Sequence, residues 1–310
     1  MRDDADRGAH PGRTSVAKGA GYLSVAVMGW GLTWPVNKVL LESLSPYWLA
    51  AVRSALGAAV LAMVALAARR LTAPPREDLP VVASIALLHM VGFSLLAAIG
   101  LQMVSVGRSV VLAYTTPLWV MPGAALLLGE RLTPGRAAGV ALGLGGLAVL
   151  FNPFAMDWAD RTALAGHGFL LLAALCWAAS ILHIRGHAWR ATPFQLVPWE
   201  AFLATAVLFP IALLSGPWPA IAWDAKLVGL LCITSILGVA LPYWGTAMAG
   251  RHLPAIGVSL GLLGTPLVGV VVANVALGEA PEAAVWLALV LVVGGAALGM
   301  ATEGGRRAGR

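Results

Sequence analysis

Charged residues are scarce in this chain of 310 residues, because Asp, Glu, Lys and Arg together make up only 11% of it. A soluble domain carries about 25% charged residues, so the composition excludes a water-exposed surface over most of the molecule. Hydrophobic residues make up 59% of the chain, and the mean hydropathy is +0.85. These values favour a protein that lies in a lipid bilayer.

Cysteine is nearly absent, and the two cysteines, Cys176 and Cys232, do not have the spacing of metal ligands. We interpret both as small packing residues within apolar stretches. The sequence also lacks a Gly-x-x-x-x-Gly-Lys-Ser/Thr loop, the motif that cradles nucleotide phosphates. We therefore expect neither a metal nor a cofactor, and no transport powered by nucleotide hydrolysis.

Ten apolar stretches are each long enough to cross a hydrocarbon core about 30 Å thick. They lie near residues 19–41, 46–68, 79–101, 106–128, 134–152, 163–184, 194–215, 225–248, 254–277 and 283–302. We number these predicted spans 1 to 10. The flanking segments 1–18 and 303–310 are predicted to be cytoplasmic tails, the first of them disordered because it mixes charges with Gly and Pro.

Basic residues are distributed unevenly between the two ends of the predicted spans. With a cytoplasmic N-terminus, only Lys38, Arg108, Arg161 and Lys226 lie at outer ends. The positive-inside rule then predicts that both termini are cytoplasmic. This distribution also explains the pI of about 9.9, so we do not expect a nucleic-acid partner.

The second half of the chain repeats landmarks of the first half. The matches are Tyr114–Pro117 with Gly264–Pro266, Gly129-Glu130 with Gly278-Glu279, and Gly29–Thr33 with Cys176–Ser180. All fall roughly 147–149 residues apart, as in the internal repeats of transporters. Five spans in each half is an odd number, so the second copy must enter the membrane upside down. The sequence predicts an all-α integral membrane protein with two inverted five-helix repeats, 19–152 and 163–302, which can rock about a shared central cavity.

Several aromatic residues are predicted to lie deep in the membrane rather than at its interfaces. At 1.5 Å per residue, Trp30 and Trp177 both come near the midplane of their spans. Such rings could stack on a flat or amphipathic substrate, with ordinary bundle packing as the alternative for about half of them. The deep set is Trp30, Trp34, Trp119, Trp177, Trp244, Tyr114 and Tyr243.

Three ionisable residues stand out well inside the spans, where charge is costly and normally faces a cavity or a protein interior. His89 is predicted to be a cavity residue or a hydrogen-bonded core residue. Glu200 is expected to face a cavity or an inward vestibule. Arg53 could face the cavity or snorkel to the outer interface, and its depth differs from that of Glu200 by about 10 Å, so we expect no direct ion pair. A protonation change at His89 or Glu200 is a hypothesis for proton coupling.

Two prolines, Pro117 and Pro266, fall near the middle of spans 4 and 9. Proline removes a backbone hydrogen bond and kinks a helix. Because both copies place it at one depth, we predict a role in shaping or gating the pathway, with simple tolerance of proline in membrane helices as the alternative.

Small residues recur four apart on span 5, at 135, 139 and 143, and on span 10, at 295 and 299. Such stripes let helix backbones approach closely. They predict helix contacts within one molecule or at the face of a homodimer.

A membrane-embedded enzyme is the competing class. His183 and His187 are four residues apart and could hold a metal on one helix face. They lie beside Arg185 and Arg190 at a cytoplasmic span end, so a solvated basic flank is the better interpretation.

With these motifs the chain resembles the EamA family of the drug/metabolite transporter superfamily. The resemblance covers nearly the whole chain after the tail, and it is carried by the Trp30 and Trp177 segments and the two Thr-Pro…Gly-Glu runs. It implies a secondary transporter of the bacterial inner membrane that exports amino acids, aromatic ones included, or related small metabolites by alternating access. Export of drugs or other metabolites is the alternative.

The resemblance also implies a central cavity lined by spans 1–4 and 6–9. Trp30, Trp177 and Tyr114 match aromatic residues of an aromatic amino-acid exporter of this family, whereas His89 and Thr116 replace bulkier groups. A wider or more polar cavity is therefore expected. The predicted cavity residues are Trp30, Trp34, His89, Tyr114, Thr116, Trp177, Ser180, Glu200, Tyr243 and Trp244.

Overall fold

The computed structural model describes residues 13–130, 133–151, 159–249, 251–253, 258 and 261–307. In this part of the chain the secondary structure is helical, without a β-strand. We number the helices α1 to α10 in chain order. They are α1 Arg13–Leu40, α2 Pro46–Ala67, α3 Arg76–Met103, α4 Val106–Leu127, α5 Pro134–Phe151, α6 Arg161–Gly186, α7 Pro193–Ser215, α8 225–249, α9 Gly264–Leu277 and α10 Ala283–Arg307.

Six of these helices are long and apolar enough to cross a membrane, namely α2, α3, α4, α6, α7 and α8. Shorter apolar stretches occur in α5, α9 and α10, and α1 is 28 residues long. The described residues thus have the all-helical, apolar character expected of a multi-pass membrane protein.

Both predicted tails overlap with helix. α1 begins at Arg13, inside the segment 1–18 that was predicted to be disordered, and α10 continues to Arg307. Residues 13–18 contain neither Pro nor Gly, so nothing in them stops the helix from extending towards the N-terminus. The predicted tail residues 1–12 and 308–310, and the connection 152–158, lie outside the described residues.

Three helices depart from regular α geometry within the membrane-spanning region. α3 contains a π-helical segment over Ile85–Phe93, and α8 contains one over Ile236–Ala240. α4 is interrupted at Tyr114, and its second piece starts at Thr116 with Pro117 in its first turn. Proline has no N–H to donate to the preceding turn, which explains the break in α4. Local widening of a helix frequently marks a functional site.

Contacts between the two halves occur in matched pairs. α1 packs on α8 and α9, and α6 packs on α3 and α4 in the same way. The helices α2, α4 and α5 of the first half pack on α7, α9 and α10 of the second. The first four helices of each half therefore meet at the centre, whereas α5 and α10 mainly contact each other.

The α5–α10 contact is made through the two glycine stripes. A Cβ on Gly139 would overlap the carbonyl oxygen of Gly295 and lie 3.0 Å from the amide nitrogen of Gly299. A Cβ on Gly295 would lie 2.9 Å from the amide nitrogen of Gly143. The stripes are thus used for close packing within one molecule, which is one of their two predicted uses.

Candidate functional site

A cavity of about 90 Å³ lies where the two halves meet. Its wall is built from α1, α2, α3 and α4 of the first half and α6, α7 and α8 of the second. Both π-helical segments and the break in α4 contribute residues to it. The irregular backbone of the three helices is therefore concentrated at this cavity.

Aromatic rings form a continuous part of the cavity wall. His89 stacks on Trp177 with ring centroids 5.1 Å apart and an interplanar angle of 10°. Phe93 lies 5.1 Å from the same indole, and the Tyr243 hydroxyl lies 3.2 Å from Nδ1 of His89. Trp30 meets Tyr243 edge-on, at a centroid distance of 5.8 Å. The cluster joins α1, α3, α6 and α8 and offers both flat faces and polar edges.

The π-helical segment of α8 positions the aromatic ring contributed by α1. Trp30 donates a hydrogen bond of 3.1 Å from Nε1 to the carbonyl oxygen of Gly238, inside this segment. The Thr234 hydroxyl donates to Oδ1 of Asn37 at 2.7 Å, one turn before it. These two bonds hold α1 and α8 in register beside the cavity.

Arg53 brings a cation into the cavity. Its Nη2 donates to the Ser94 hydroxyl at 3.1 Å, which ties α2 to α3. Its Nη1 faces Gly238, where an added Cβ would lie 3.6 Å from this nitrogen. The guanidinium group thus points into the cavity and does not snorkel to the outer interface. In the part of the chain that the structure describes, Arg53 makes no ion pair with Glu200 or with another carboxylate.

The structure brings together a majority of the predicted cavity residues. Those in the cavity wall are Trp30, Trp34, His89, Tyr114, Trp177 and Tyr243. They come from five different helices, so their meeting depends on the fold and not on local sequence.

Four predicted residues lie away from this wall. The Thr116 hydroxyl donates to carbonyl oxygens of α4 and α6 at 2.9 and 3.3 Å, so it joins the two helices. Ser180 is buried, and its hydroxyl has no hydrogen-bond partner among the described residues. Glu200 is only 2% exposed within the helix bundle, and Trp244 packs edge-on against Tyr22 of α1. None of these four side chains is among the residues that form the wall of the central cavity.

The sequence alone did not single out Ser94, Asn37 or Gly238, and it left Arg53 undecided. A serine, an asparagine or a glycine in an apolar span has many uses, so its identity carries little information about a cavity. The charge of Arg53 was the available signal, because an intramembrane cation normally faces water or protein.

A second cavity, of about 140 Å³, continues beyond the central one towards the predicted cytoplasmic side. Its wall includes Thr116 and Pro117 of α4, whereas Pro266 is buried in the first turn of α9. Tyr114 and Trp177 belong to the walls of both cavities. Their rings meet edge-on at a centroid distance of 5.5 Å, and this pair therefore separates the two cavities.

Each Gly-Glu pair ties its half of the chain to the other half. Gly129 and Gly278 adopt left-handed backbone conformations, with φ of 67° and 68°, and both end a helix. Beyond the first, Glu130 lies 2.9 Å from Nη2 of Arg136 and 3.5 Å from Nη1 of Arg185 on α6. Beyond the second, the Glu279 carboxylate accepts a 2.9 Å hydrogen bond from the first amide of α4. We call these contacts the inner tie and the outer tie.

A further contact between the halves is centred on the buried carboxylate of Asp78. This carboxylate accepts hydrogen bonds from the backbone amides of Arg190 and Ala191, at 3.1 and 2.7 Å. It also lies 2.8 Å from Nε2 of His187. The His187 side chain is only 12% exposed, so the prediction of a solvated flank is wrong for this residue. No group of three potential ligands that could hold a metal occurs in the described ranges.

Comparisons with known proteins agree with this architecture. A protein of Streptantibioticus cattleyicolor named "probable terminal-alkyne amino-acid exporter" is 29% identical over 92% of this chain and 92% of its own length. A riboflavin transporter of Rhizobium johnstonii is 29% identical over 63% of this chain and 61% of its own. A solved crystal structure shares the fold at a TM-score of 0.67 and 23% identity, covering 94% of this chain and 98% of that chain.

The family comparison covers both halves of the sequence. Residues 17–152 and residues 164–300 each match the same transporter family, which confirms the resemblance drawn from the repeated motifs. Membership of a transporter family points away from an enzyme. The chain belongs to the EamA-like transporter family.

Proposed function

We propose that the protein is a secondary transporter of the bacterial inner membrane that exports amino acids or related small metabolites by alternating access. The observation that carries the proposal is the aromatic cavity at the meeting of the two halves. Its walls come from both halves, so a relative movement of the halves changes access to it. The small-molecule substrate and the lipid bilayer are the partners in this proposal.

The size of the cavity favours a small substrate. Its volume of about 90 Å³ is well below the ~300–1,000 Å³ of pockets for drug-sized ligands. An amino acid requires a modest expansion, whereas riboflavin or a drug requires a large one. The amino-acid exporter is also similar over more of the chain than the riboflavin transporter is. Export of larger metabolites or drugs is the second candidate, and the riboflavin transporter is the observation that favours it.

The pattern of helix contacts supports an inverted repeat. α1 contacts α8 and α9 as α6 contacts α3 and α4, and α2 contacts α8 as α7 contacts α3. Three further contacts join equivalent helices, namely α2 with α7, α4 with α9 and α5 with α10. A two-fold axis in the membrane plane produces this exchange of partners. We therefore propose ten spans in two repeats, 19–152 and 163–302, with both termini in the cytoplasm. Homodimerisation stays a hypothesis, because the glycine stripes considered for it pack within one molecule.

The two ties provide a physical basis for alternating access. The inner tie joins Glu130 to Arg185, and the outer tie joins Glu279 to the start of α4. Each tie crosses between the halves at one end of the bundle, and both are formed in this structure. We propose that release of the outer tie opens the cavity outwards and that release of the inner tie opens it to the cytoplasm.

Counterflow in liposomes tests the proposed function. The purified protein is reconstituted, and the exchange of labelled tryptophan, phenylalanine, threonine and methionine is measured. We expect saturable exchange that weakens in Trp30→Ala and His89→Ala, because both rings line the cavity. Trp286→Ala is the matched control, since Trp286 is 37% exposed on α10. Absence of exchange for every amino acid by a folded protein would remove amino acids from the proposal.

A further inference from the structure

The guanidinium group of Arg53 has more donors than the described protein uses. An arginine carries five N–H donors in a planar fork, and the hydrogen bond to Ser94 occupies one of them. Arg53 also forms part of the cavity wall rather than of the outer surface. Arg53 is half-buried, so its remaining donors are available to an acceptor that enters the cavity.

The charge of the cavity is unbalanced within the described residues. The residues that form its wall include Arg53 but no Asp and no Glu. Ion pairs occur elsewhere in the bundle, at both ends and around Asp78, yet none includes Arg53. A cation without a counter-ion favours an anionic ligand, and the guanidinium fork matches a carboxylate in particular because it can donate two parallel hydrogen bonds.

Apolar surface lies next to this cation. Nη1 of Arg53 lies beside Gly238, and the carbonyl oxygen of the same residue accepts the Trp30 indole hydrogen bond. Guanidinium and indole therefore converge on Gly238. The stacked rings of His89 and Trp177 belong to the same cavity. A ligand with a carboxylate and a flat apolar group can satisfy both features at once.

Three acceptors of the cavity wall already take a hydrogen bond from the protein. The Ser94 hydroxyl accepts from Arg53, the Asn37 side-chain oxygen accepts from Thr234, and the Gly238 carbonyl accepts from Trp30. A cationic group would also lie in the same cavity as the cationic Arg53.

We propose that Arg53 binds the carboxylate of the substrate, and that the site requires this carboxylate but not an ammonium group. The substrate class is then flat, apolar carboxylates, amino acids and their deaminated analogues alike. This inference rests on the proposed function, since it assigns the chemistry of that same cavity.

Three indole compounds separate the two charges of an amino acid. Tryptophan carries both charges, indole-3-propionate carries the carboxylate alone, and tryptamine carries the ammonium alone. Calorimetric titration of the full-length protein in detergent measures the affinity for each compound. We expect tryptophan and indole-3-propionate to bind at least about tenfold more tightly than tryptamine, as a charge-assisted hydrogen-bond pair implies.

Variants of Arg53 assign this preference to one residue. Arg53→Gln is expected to weaken the binding of both carboxylates about tenfold or more and not to weaken tryptamine, because the substitution removes a like charge from the cavity. Arg53→Lys keeps the charge but loses the planar fork, so an intermediate loss is expected. Arg161→Gln is the matched control, because Arg161 is exposed at the start of α6. If Arg53→Gln does not fold, Ser94→Ala and Arg53→Lys take its place in the titration. The inference then requires that both variants lose affinity for the two carboxylates several-fold and keep their affinity for tryptamine.

The outcomes also separate this inference from the proposed function. Equal affinity for tryptamine, unchanged carboxylate binding in the Arg53 variants, or no binding of any indole compound would overturn the inference. Amino-acid exchange in liposomes that is unaffected by Arg53→Gln would overturn it while the proposed function stands. Binding of indole-3-propionate through Arg53, without exchange of amino acids, would support the inference and reject the proposed function.

Discussion

Gly139→Ala places a methyl group where α5 and α10 touch through their backbones. The new Cβ would overlap the Gly295 carbonyl oxygen and lie 3.0 Å from the Gly299 amide nitrogen. Neither atom belongs to a side chain that can rotate away, so the two helices must separate. Overpacking of this kind costs about 1–3 kcal/mol. The cavity is built from other helices, so substrate affinity at a permissive temperature is expected to stay unchanged.

Gly145→Ala is the matched control on the same helix, because a Cβ at Gly145 meets no atom within 4 Å. Both substitutions gain the same helix propensity, up to about 1 kcal/mol, so the difference between them isolates the overlap. Unfolding in mixed micelles, followed by circular dichroism, measures this difference. We expect Gly139→Ala to unfold more readily by about 1–3 kcal/mol than Gly145→Ala. Equal stabilities of the two variants would refute the backbone contact between α5 and α10.

Three further predictions concern the cavity and the contacts between the halves. Trp177→Ala removes the ring on which His89 stacks, so the counterflow affinity should fall about 2- to 10-fold, as loss of ~0.5–1.5 kcal/mol implies; an unchanged affinity would exclude this ring from the site. Glu279→Gln weakens the outer tie, so a cysteine in the cavity wall should be labelled faster by an impermeant reagent added outside. Glu130→Gln weakens the inner tie, so the same cysteine should be labelled faster from inside. The same response in both variants would contradict the roles proposed for the two ties. Asp78→Asn weakens three charge-assisted hydrogen bonds, so thermal unfolding should show a loss of about 1.5–3 kcal/mol, whereas the exposed neighbour Glu77→Gln should behave as wild type.

Position along a helix axis is the property that the sequence predicts well. A helix rises by a fixed 1.5 Å per residue, so Trp30 and Trp177 could be placed near one level before their contacts were known. Both line the central cavity of the structure. Six of the ten apolar stretches likewise coincide with helices that are long and apolar enough to cross a membrane, because apolar length is set by the thickness of the hydrocarbon core.

The direction in which a side chain points was harder to predict. Both faces of a membrane helix are apolar, one towards lipid and one towards protein, so hydrophobicity does not mark the buried face. Trp244 was therefore assigned to the cavity by depth, although it packs against Tyr22 of α1. The π-helical segment Ile236–Ala240 adds to the difficulty, because each extra residue turns the rest of a helix by about 100°. Trp244 follows this segment.

The residues at which helices begin and end were also hard to predict from the sequence. The sequence 13–18 is charged and polar, which favoured a disordered tail, yet it continues α1. An apolar run next to it has already formed the costly first turn, so adding residues without Pro or Gly requires little further free energy.

The edge-on pair of Tyr114 and Trp177 has a consequence for the leakage of protons and ions across the membrane. Because the pair separates the two cavities, a chain of water molecules from one side of the membrane to the other would have to pass between two largely apolar rings. Apolar constrictions expel water, and without water neither protons nor small ions cross. The ring of an organic substrate, by contrast, can pack against Tyr114 and Trp177 in place of the contact that these two residues make with each other. In the proposed transporter, the same pair would therefore admit a substrate and preserve the membrane potential.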